Sequence, residues 1–123
     1  MNQDELKSRT KRFGLDVIKL IETLPKGETS YVLRRQLLRS ATSVGANYRA
    51  TCRGHSKAEF IAKLGIALEE ADESLFWMEM ITEAKIVPEN KIADLMDEAN
   101  QLLAILTASS KTARTNSNKG QAS

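Results

Sequence analysis

The sequence predicts an all-α fold, an antiparallel up-down-up-down four-helix bundle. Three observations predict it: apolar residues recur at helical spacing in four segments, short turn signals separate those segments, and no segment alternates apolar and polar residues as a strand would. The composition agrees, because only 5% of the residues are aromatic and proline occurs twice. A chain of 123 residues fits one such domain with a single core.

The first helix is predicted by an apolar stripe that ends at the sequence LPKGE, where Pro25 and Gly27 stop it. The second helix should then begin at Thr29 or Ser30, since either is a favourable N-cap, and should close at Gly54. The first stripe consists of Leu6, Thr10, Phe13, Val17, Leu20 and Leu24, and the second of Leu33, Leu37, Ala41, Val44 and Tyr48.

The third helix begins with the spacing of a capping box, in which the Ser56 hydroxyl and the Glu59 carboxylate each accept a bond from a free backbone amide. It is expected to run to about Ile86, before Pro88. Its apolar stripe consists of Phe60, Leu64, Ala67, Ala71, Leu75 and Met78.

The fourth helix follows Pro88, which is well suited to a first helical turn. The bundle is therefore predicted to cover residues 1–108. Residues 109–123 hold no apolar side chain larger than alanine and are predicted to form a disordered polar tail. The apolar positions of the fourth helix are Ile92, Leu95, Met96, Ala99, Leu102, Leu103 and Leu106.

Charge is segregated along the chain, although the net charge is only +2. Residues 1–63 carry a balance of +7, and residues 64–123 carry a balance of −5. A bundle places such halves side by side, so part of the asymmetry should be neutralised internally. Only cations clustered on one outer face would attract a polyanion.

Four arginines of the second helix fall nearly opposite its apolar stripe on a helical wheel, and we call them the arginine ridge. Such a ridge can hold successive phosphates, because guanidinium groups match phosphate oxygens and binding releases counterions. The alternative is a solvated face, or one paired with acids of a neighbouring helix or subunit. The ridge consists of Arg35, Arg39, Arg49 and Arg53, and the candidate acids are Glu69, Glu70, Asp72 and Glu73.

Two further positions of the second helix suggest close packing. Asn47 lies at the edge of the predicted core, and we interpret it as a structural amide that is bonded to a group of the first or third helix and fixes their register. A ligand contact is the alternative. Gly45 lowers helix propensity but allows another backbone to approach closely.

The third helix carries more apolar surface than one core stripe needs. The window LFWMEMI at residues 75–81 is apolar on nearly every side. Since a soluble monomer rarely exposes such a patch, we predict an oligomer interface. The alternative is that the bundle itself covers these side chains. The predicted interface residues are Ile66, Phe76, Trp77, Met80 and Ile81.

The sequence has no set of residues typical of a catalytic, metal or cofactor site. A di-iron bundle needs Glu-x-x-His pairs, and the single histidine, His55, belongs to none. Cys52 and His55 could act as a nucleophile and its base or form half of a metal site, but no second pair of metal ligands accompanies them. We therefore expect no enzyme activity, cofactor or metal. One cysteine, no apolar leader and no membrane span favour a soluble cytoplasmic protein.

Two segments, LRRQLLRSATSVGANYRA and SKAEFIAKLGIALEEADESLFWMEMI, resemble a family of small bacterial four-helix-bundle proteins encoded by intervening sequences in 23S ribosomal RNA genes. The resemblance covers roughly residues 6–107. The residues that carry it are Ser43, Ala46 and Asn47, followed by Phe60, Ile61, Leu64, Ile66 and Ala67.

The fold of that family is similar to the accessory protein of diversity-generating retroelements, a basic bundle that forms a pentameric ring, binds nucleic acid and partners a reverse transcriptase. For this chain, the resemblance implies a cytoplasmic, ring-shaped homo-oligomer, such as a pentamer. It also implies RNA, DNA or a nucleic-acid enzyme as the partner. The low net charge and the acidic second half depart from that pattern.

Overall fold

The computed structural model describes the backbone of residues 1–122 and the side chains of residues 1–116. Its four α-helices are α1 (Gln3–Ile21), α2 (Glu28–Cys52), α3 (Lys57–Glu83) and α4 (Glu89–Ala122), and the described residues include no strand. The predicted all-α fold is thus confirmed.

Each helix packs against its neighbour in the sequence, and α1 also packs against α4. Because the links between helices are short, consecutive helices run antiparallel. In the pair α1 and α2, Gly14 lies near Thr42, and Gly45 lies near Thr10, so the numbering runs in opposite directions. This neighbour pattern is the one an up-down-up-down bundle requires.

The apolar stripes predicted for α1 and α2 are buried throughout. The one polar member, Thr10, is tolerated because its hydroxyl donates to the Leu6 carbonyl oxygen at 2.9 Å. In α4, Ile92, Ala99 and Leu102 are fully buried. The core therefore lies along the common axis of the four helices.

Two helix starts can be compared with the prediction. Ser56 is the N-cap of α3, and its hydroxyl accepts the Glu59 amide at 3.1 Å, as predicted. The predicted N-cap of α2 is wrong. Gly27 takes that position with φ +141°, a conformation that favours glycine, so α2 begins before Thr29 and Ser30.

Helix α3 ends at Glu83, slightly before the predicted limit at Ile86. Lys85 adopts φ +58°, and two bonds close the end: its amide donates to Thr82, and the Ile86 amide donates to Ile81. This is the arrangement of a Schellman motif, here with lysine where glycine is usual. The turn thus forms before Pro88 is reached.

Helix α4 continues beyond residue 108, where the sequence analysis placed the start of a disordered tail. Its first 27 residues equal the length of α3, so residues 89–115 can run beside that helix. Ser110 and Ala113 are buried and extend the stripe of Leu102 and Leu106, which shows that small side chains suffice there. Residue 123 lies outside the described residues.

Candidate nucleic-acid and self-association surfaces

All four side chains of the arginine ridge are exposed along α2 and its C-cap, opposite the buried stripe, as the helical wheel predicts. Their surroundings nevertheless differ. Arg39 faces α3 and pairs with its acids, and Arg49 lines a groove beside α1. Arg35 and Arg53 neither pair with α3 nor line that groove. The ridge therefore divides into paired and unpaired cations.

Arg39 belongs to a network that joins α2 to α3. Its guanidinium group donates to Glu70 at 3.4 Å and to Glu73, and the Trp77 indole donates to the same Glu73 oxygen at 3.2 Å. Gln36 accepts a further weak bond at 3.4 Å. Two of the acids proposed as partners of the ridge thus pair with Arg39 within one chain, which leaves Arg39 less available to a phosphate.

The pKa of the Glu70 carboxyl group is raised above its ordinary value. Burial raises the pKa of its carboxyl group, Arg39 opposes that rise, and the nearby carboxylate of Glu73 adds to it. The folded protein therefore holds this proton more tightly than the unfolded chain does. Stability should fall as pH rises from the ordinary value of 4.5 through the raised pKa.

We expect Glu70→Gln to raise the midpoint temperature of unfolding at pH 7. The amide can still accept a bond from Arg39, but it carries no charge to be desolvated or repelled by Glu73. The gain should shrink below pH 4.5, where Glu70 of the unchanged protein is itself protonated. Thermal unfolding followed by circular dichroism checks this, with the exposed Glu79→Gln as control. A gain that is independent of pH would contradict it.

The other members of the ridge have no such partner. Arg35, Arg49 and Arg53 form no ion pair with a carboxylate among the described residues. Nearby, Arg34 lies over the Tyr31 ring at 5.6 Å from its centroid, which is a cation–π contact. Three exposed guanidinium groups therefore remain available on one face of α2.

A groove of about 430 Å³ lies between α1 and α2. Leu15 and Ile18 give it an apolar end, and their side chains are 45% and 38% exposed. Lys7, Lys11 and Arg49 make the other end cationic. We call it the α1–α2 groove; the sequence analysis missed it, because Leu15 and Ile18 fall outside the core stripe of α1.

Gly45 explains why α1 and α2 lie so close beside this groove. A Cβ atom at Gly45 would be 3.2 Å from the Thr10 carbonyl oxygen and 3.3 Å from the Lys11 nitrogen. A side chain at this position would push the two backbones apart by a few tenths of an ångström, so glycine favours their close approach. The interpretation of Gly45 as a site of close packing is confirmed.

The interpretation of Asn47 needs correction. Its side chain is half-buried, and its amide nitrogen donates at 2.8 Å to the Ser43 carbonyl oxygen of α2 itself. No bond to the first or third helix is present among the described residues. An amide satisfied one turn away cannot fix the register between two helices, so that role is not supported.

The predicted oligomer interface divides into exposed and buried residues. Ile66, Phe76 and Met80 are 44%, 49% and 41% exposed on the side of α3 opposite the core. Trp77 is half-buried, with its ring edge-on to Phe76 at 5.0 Å. Ile81 is fully buried in the core, so its assignment to the interface is wrong.

Positively and negatively charged residues are concentrated on different helices. Together, α1 and α2 carry nine Lys and Arg against four Asp and Glu, whereas α3 carries two against seven. Glu69, exposed among Ile66, Phe76 and Met80, forms no ion pair within the described part of the chain. These four residues define what we call the α3 outer face, which is both apolar and acidic.

The described residues contain no group of three His, Cys, Asp or Glu side chains that could hold a metal ion. Cys52 is half-buried beside Tyr48, and burial together with this thiol raises the pKa of the tyrosine. His55 is exposed, and its backbone amide donates to Glu59 at 3.1 Å. None of the helices in the described part of the chain is long and apolar enough to span a membrane.

These features define an all-helical four-helix protein with one basic and one acidic, apolar surface. The sequence model of the 23S rRNA-intervening sequence protein family matches residues 3–108, and the chain belongs to that family. The resemblance noted in the sequence is thereby confirmed.

A solved structure has the same fold. It is a protein of unknown function from the S23 ribosomal protein family of Bacteroides thetaiotaomicron. The two chains are 29% identical and superpose with a TM-score of 0.83, over 90% of this chain and 99% of the other. No curated protein matches the chain.

Proposed function

We propose that this protein is a non-enzymatic homo-oligomer of the cytoplasm that binds the phosphate backbone of RNA or DNA. The nucleic-acid part of the proposal is carried by one observation: Arg35, Arg49 and Arg53 are exposed on one face of α2 without a carboxylate partner among the described residues. Guanidinium groups bind phosphate oxygens through paired hydrogen bonds, and released counterions add to the affinity.

Self-association would allow a few cations in each subunit to bind a nucleic acid tightly. Arg49 and Arg53 are one turn apart, whereas Arg35 is about 21 Å from Arg49 along the helix at the standard rise. A single chain with a net charge of +2 therefore offers few groups that can bind phosphate. An oligomer repeats the face in every subunit, and repeated weak binding to one nucleic acid gives high avidity.

The side chains of Ile66, Phe76 and Met80 support the oligomer, because large apolar side chains exposed on one side of a helix are costly in water. The assembly we propose is a closed ring, with the five-membered ring implied by the resemblance as its expected size. A nucleic-acid enzyme such as a reverse transcriptase is the corresponding candidate partner.

A second candidate function is that of a protein-interaction scaffold that binds no nucleic acid. The observation in its favour is that Arg39 is already paired with Glu70 and Glu73 of its own chain. If the other arginines pair with acids of a neighbouring subunit in the same way, the ridge serves assembly alone.

Salt-dependent binding separates the two candidates. We expect the full chain to bind a structured RNA or a DNA duplex at low salt, in a fluorescence anisotropy titration. The variant Arg35→Gln with Arg53→Gln should bind at least about tenfold more weakly. The slope of log K against log salt should also decrease, by about 0.9 for each phosphate that the variant no longer neutralises.

Arg39→Gln is the matched control, since it removes one charge from the same ridge but from a paired side chain. It should leave the salt slope unchanged. Absence of binding at low salt, or a slope that the double variant does not alter, would favour the scaffold. Light scattering of the same samples should give a multiple of the 13.7 kDa chain mass.

A further inference from the structure

We propose that the α3 outer face of one copy of this chain docks into the α1–α2 groove of a second copy. The inference rests on the self-association proposed above and identifies the surface that receives α3. Such a contact is heterologous, since two different surfaces meet and each subunit keeps its other surface free for a further copy.

The chain exposes two separate apolar surfaces. Phe76 and Met80 project from α3, and Leu15 and Ile18 lie at one end of the α1–α2 groove. One heterologous contact removes both surfaces from water. A contact between two α3 outer faces would leave Leu15 and Ile18 of both copies exposed.

The two surfaces also carry opposite charges. The cationic end of the groove has Lys11, which is unpaired among the described residues, and Lys7, which pairs with Asp4 at 3.1 Å, whereas α3 carries seven acids against two lysines. Contact between two α3 helices therefore brings acids together, and contact between two grooves brings cations together. Only the mixed contact joins opposite charges, and complementary charge selects partner and orientation.

Lys11 and Glu69 are the sharpest case. Each is exposed, and each lacks an ion-pair partner among the described residues. Glu73, by contrast, is already engaged by Arg39. Glu69 is thus the acid of the α3 outer face that is free to meet Lys11 of another copy.

The spacing between charged and apolar groups on the two helices is also compatible with docking. At about 1.5 Å per residue, the midpoint of Leu15 and Ile18 lies about 8 Å from Lys11 along α1. The midpoint of Phe76 and Met80 lies about 13 Å from Glu69 along α3 by the same measure. The difference of about 5 Å is within the reach of an extended lysine side chain.

The order of the two patterns also fixes a direction. The charged group precedes the apolar pair on both helices, so docked α3 runs parallel to α1 of the receiving copy. Within one chain α1 and α3 also run parallel, because consecutive helices are antiparallel. All subunits then point the same way, as rotation about a single axis requires, and the contact can repeat around a closed ring.

Two variants and their mixture test the proposal. The groove variant carries Leu15→Gln and Ile18→Gln, and the face variant carries Phe76→Gln and Met80→Gln. Glutamine is a good helix former and adds no charge, and circular dichroism verifies that each variant is folded. Light scattering should show that either variant alone is a monomer of 13.7 kDa at micromolar concentration.

The equimolar mixture should form a 1:1 dimer, because the intact face of the groove variant fits the intact groove of the face variant. An isologous contact between α3 helices predicts a different result: the groove variant alone stays oligomeric, and the mixture contains no dimer made of one copy of each variant. That result would overturn the proposal while leaving self-association intact. A monomeric unchanged protein would overturn both.

A charge exchange gives a second, independent readout. Lys11→Glu and Glu69→Lys should each weaken association at low salt by about tenfold, and the combined variant should restore it. Lys19→Glu, on α1 but outside the groove lining, is the control and should have little effect. Equal losses in the single and combined variants would contradict the pairing.

Discussion

Replacing Ile81 by alanine should lower the free energy of unfolding by roughly 2–5 kcal/mol, the usual cost of truncating a fully buried isoleucine. Ile81 is 0% exposed and belongs to the same buried cluster as Met78. The loss combines the transfer free energy of the deleted methyl and methylene groups with a cavity that the neighbours fill only in part. Denaturation by urea, followed by circular dichroism, measures it.

The adjacent Met80 is the matched comparison, since it is 41% exposed on the α3 outer face. Met80→Ala should weaken association and leave the stability of the separate subunit nearly unchanged. Its effect on unfolding should therefore depend on protein concentration, whereas that of Ile81→Ala should not. If the loss of unfolding free energy in Ile81→Ala disappeared at high protein concentration, Ile81 would belong to the oligomer interface after all.

The spacing of apolar residues alone does not place Ile81 in the core, because a polar residue, Ser74, interrupts the core stripe of α3. The predicted stripe included Leu75, which is half-buried, and passed over Ser74, which is fully buried. The Ser74 hydroxyl donates to the Glu70 carbonyl oxygen at 2.8 Å, so the helix itself satisfies it. With Ser74 included, the stripe continues naturally through Met78 to Ile81.

Features set by one helix alone could be predicted from the sequence: the number of helices, the buried stripes of α1 and α2, and the Ser56 cap. Helical spacing and local backbone geometry determine them. Contacts between two helices could be predicted only in part. The pairing of Arg39 with Glu70 and Glu73 was only one of several alternatives, because the register of α2 against α3 is not visible in either helix alone.

The length of α4 is a further case of the same kind. The segment after residue 108 has the composition of a disordered tail, and its helix propensity offers no strong signal. The neighbouring α3 is long enough to accompany α4 to residue 115, and Ala113 is buried there. Tertiary packing thus outweighs local composition, and a single sequence does not report that packing.

Gly45 offers the sharpest test of the packing between α1 and α2. In an exposed helix interior, glycine to alanine stabilises by about 1 kcal/mol, because alanine loses less backbone entropy. Gly65 of α3 is half-buried, but a Cβ atom there would have no neighbour within 4 Å, so alanine fits without a clash. We therefore expect Gly65→Ala to raise the free energy of unfolding by about 1 kcal/mol.

Gly45→Ala should instead lower it. The added Cβ would lie 3.2 to 3.3 Å from backbone atoms of Thr10 and Lys11, which cannot rotate aside as a side chain can. Gly45→Leu should cost more, about 1–3 kcal/mol, as is typical of overpacking. Urea unfolding of the three variants measures these changes, and a Gly45→Ala gain equal to that of Gly65→Ala would contradict the close approach.

Gly45→Leu should also affect the proposed assembly. Gly45 and Lys11 both line the α1–α2 groove, so pushing α1 away from α2 widens the surface that receives α3. Gly45→Leu should therefore weaken self-association as well as stability, although it leaves every residue of the α3 outer face unchanged. Gly65→Ala stabilises α3 without altering the groove, so light scattering of that variant should show the unchanged oligomer.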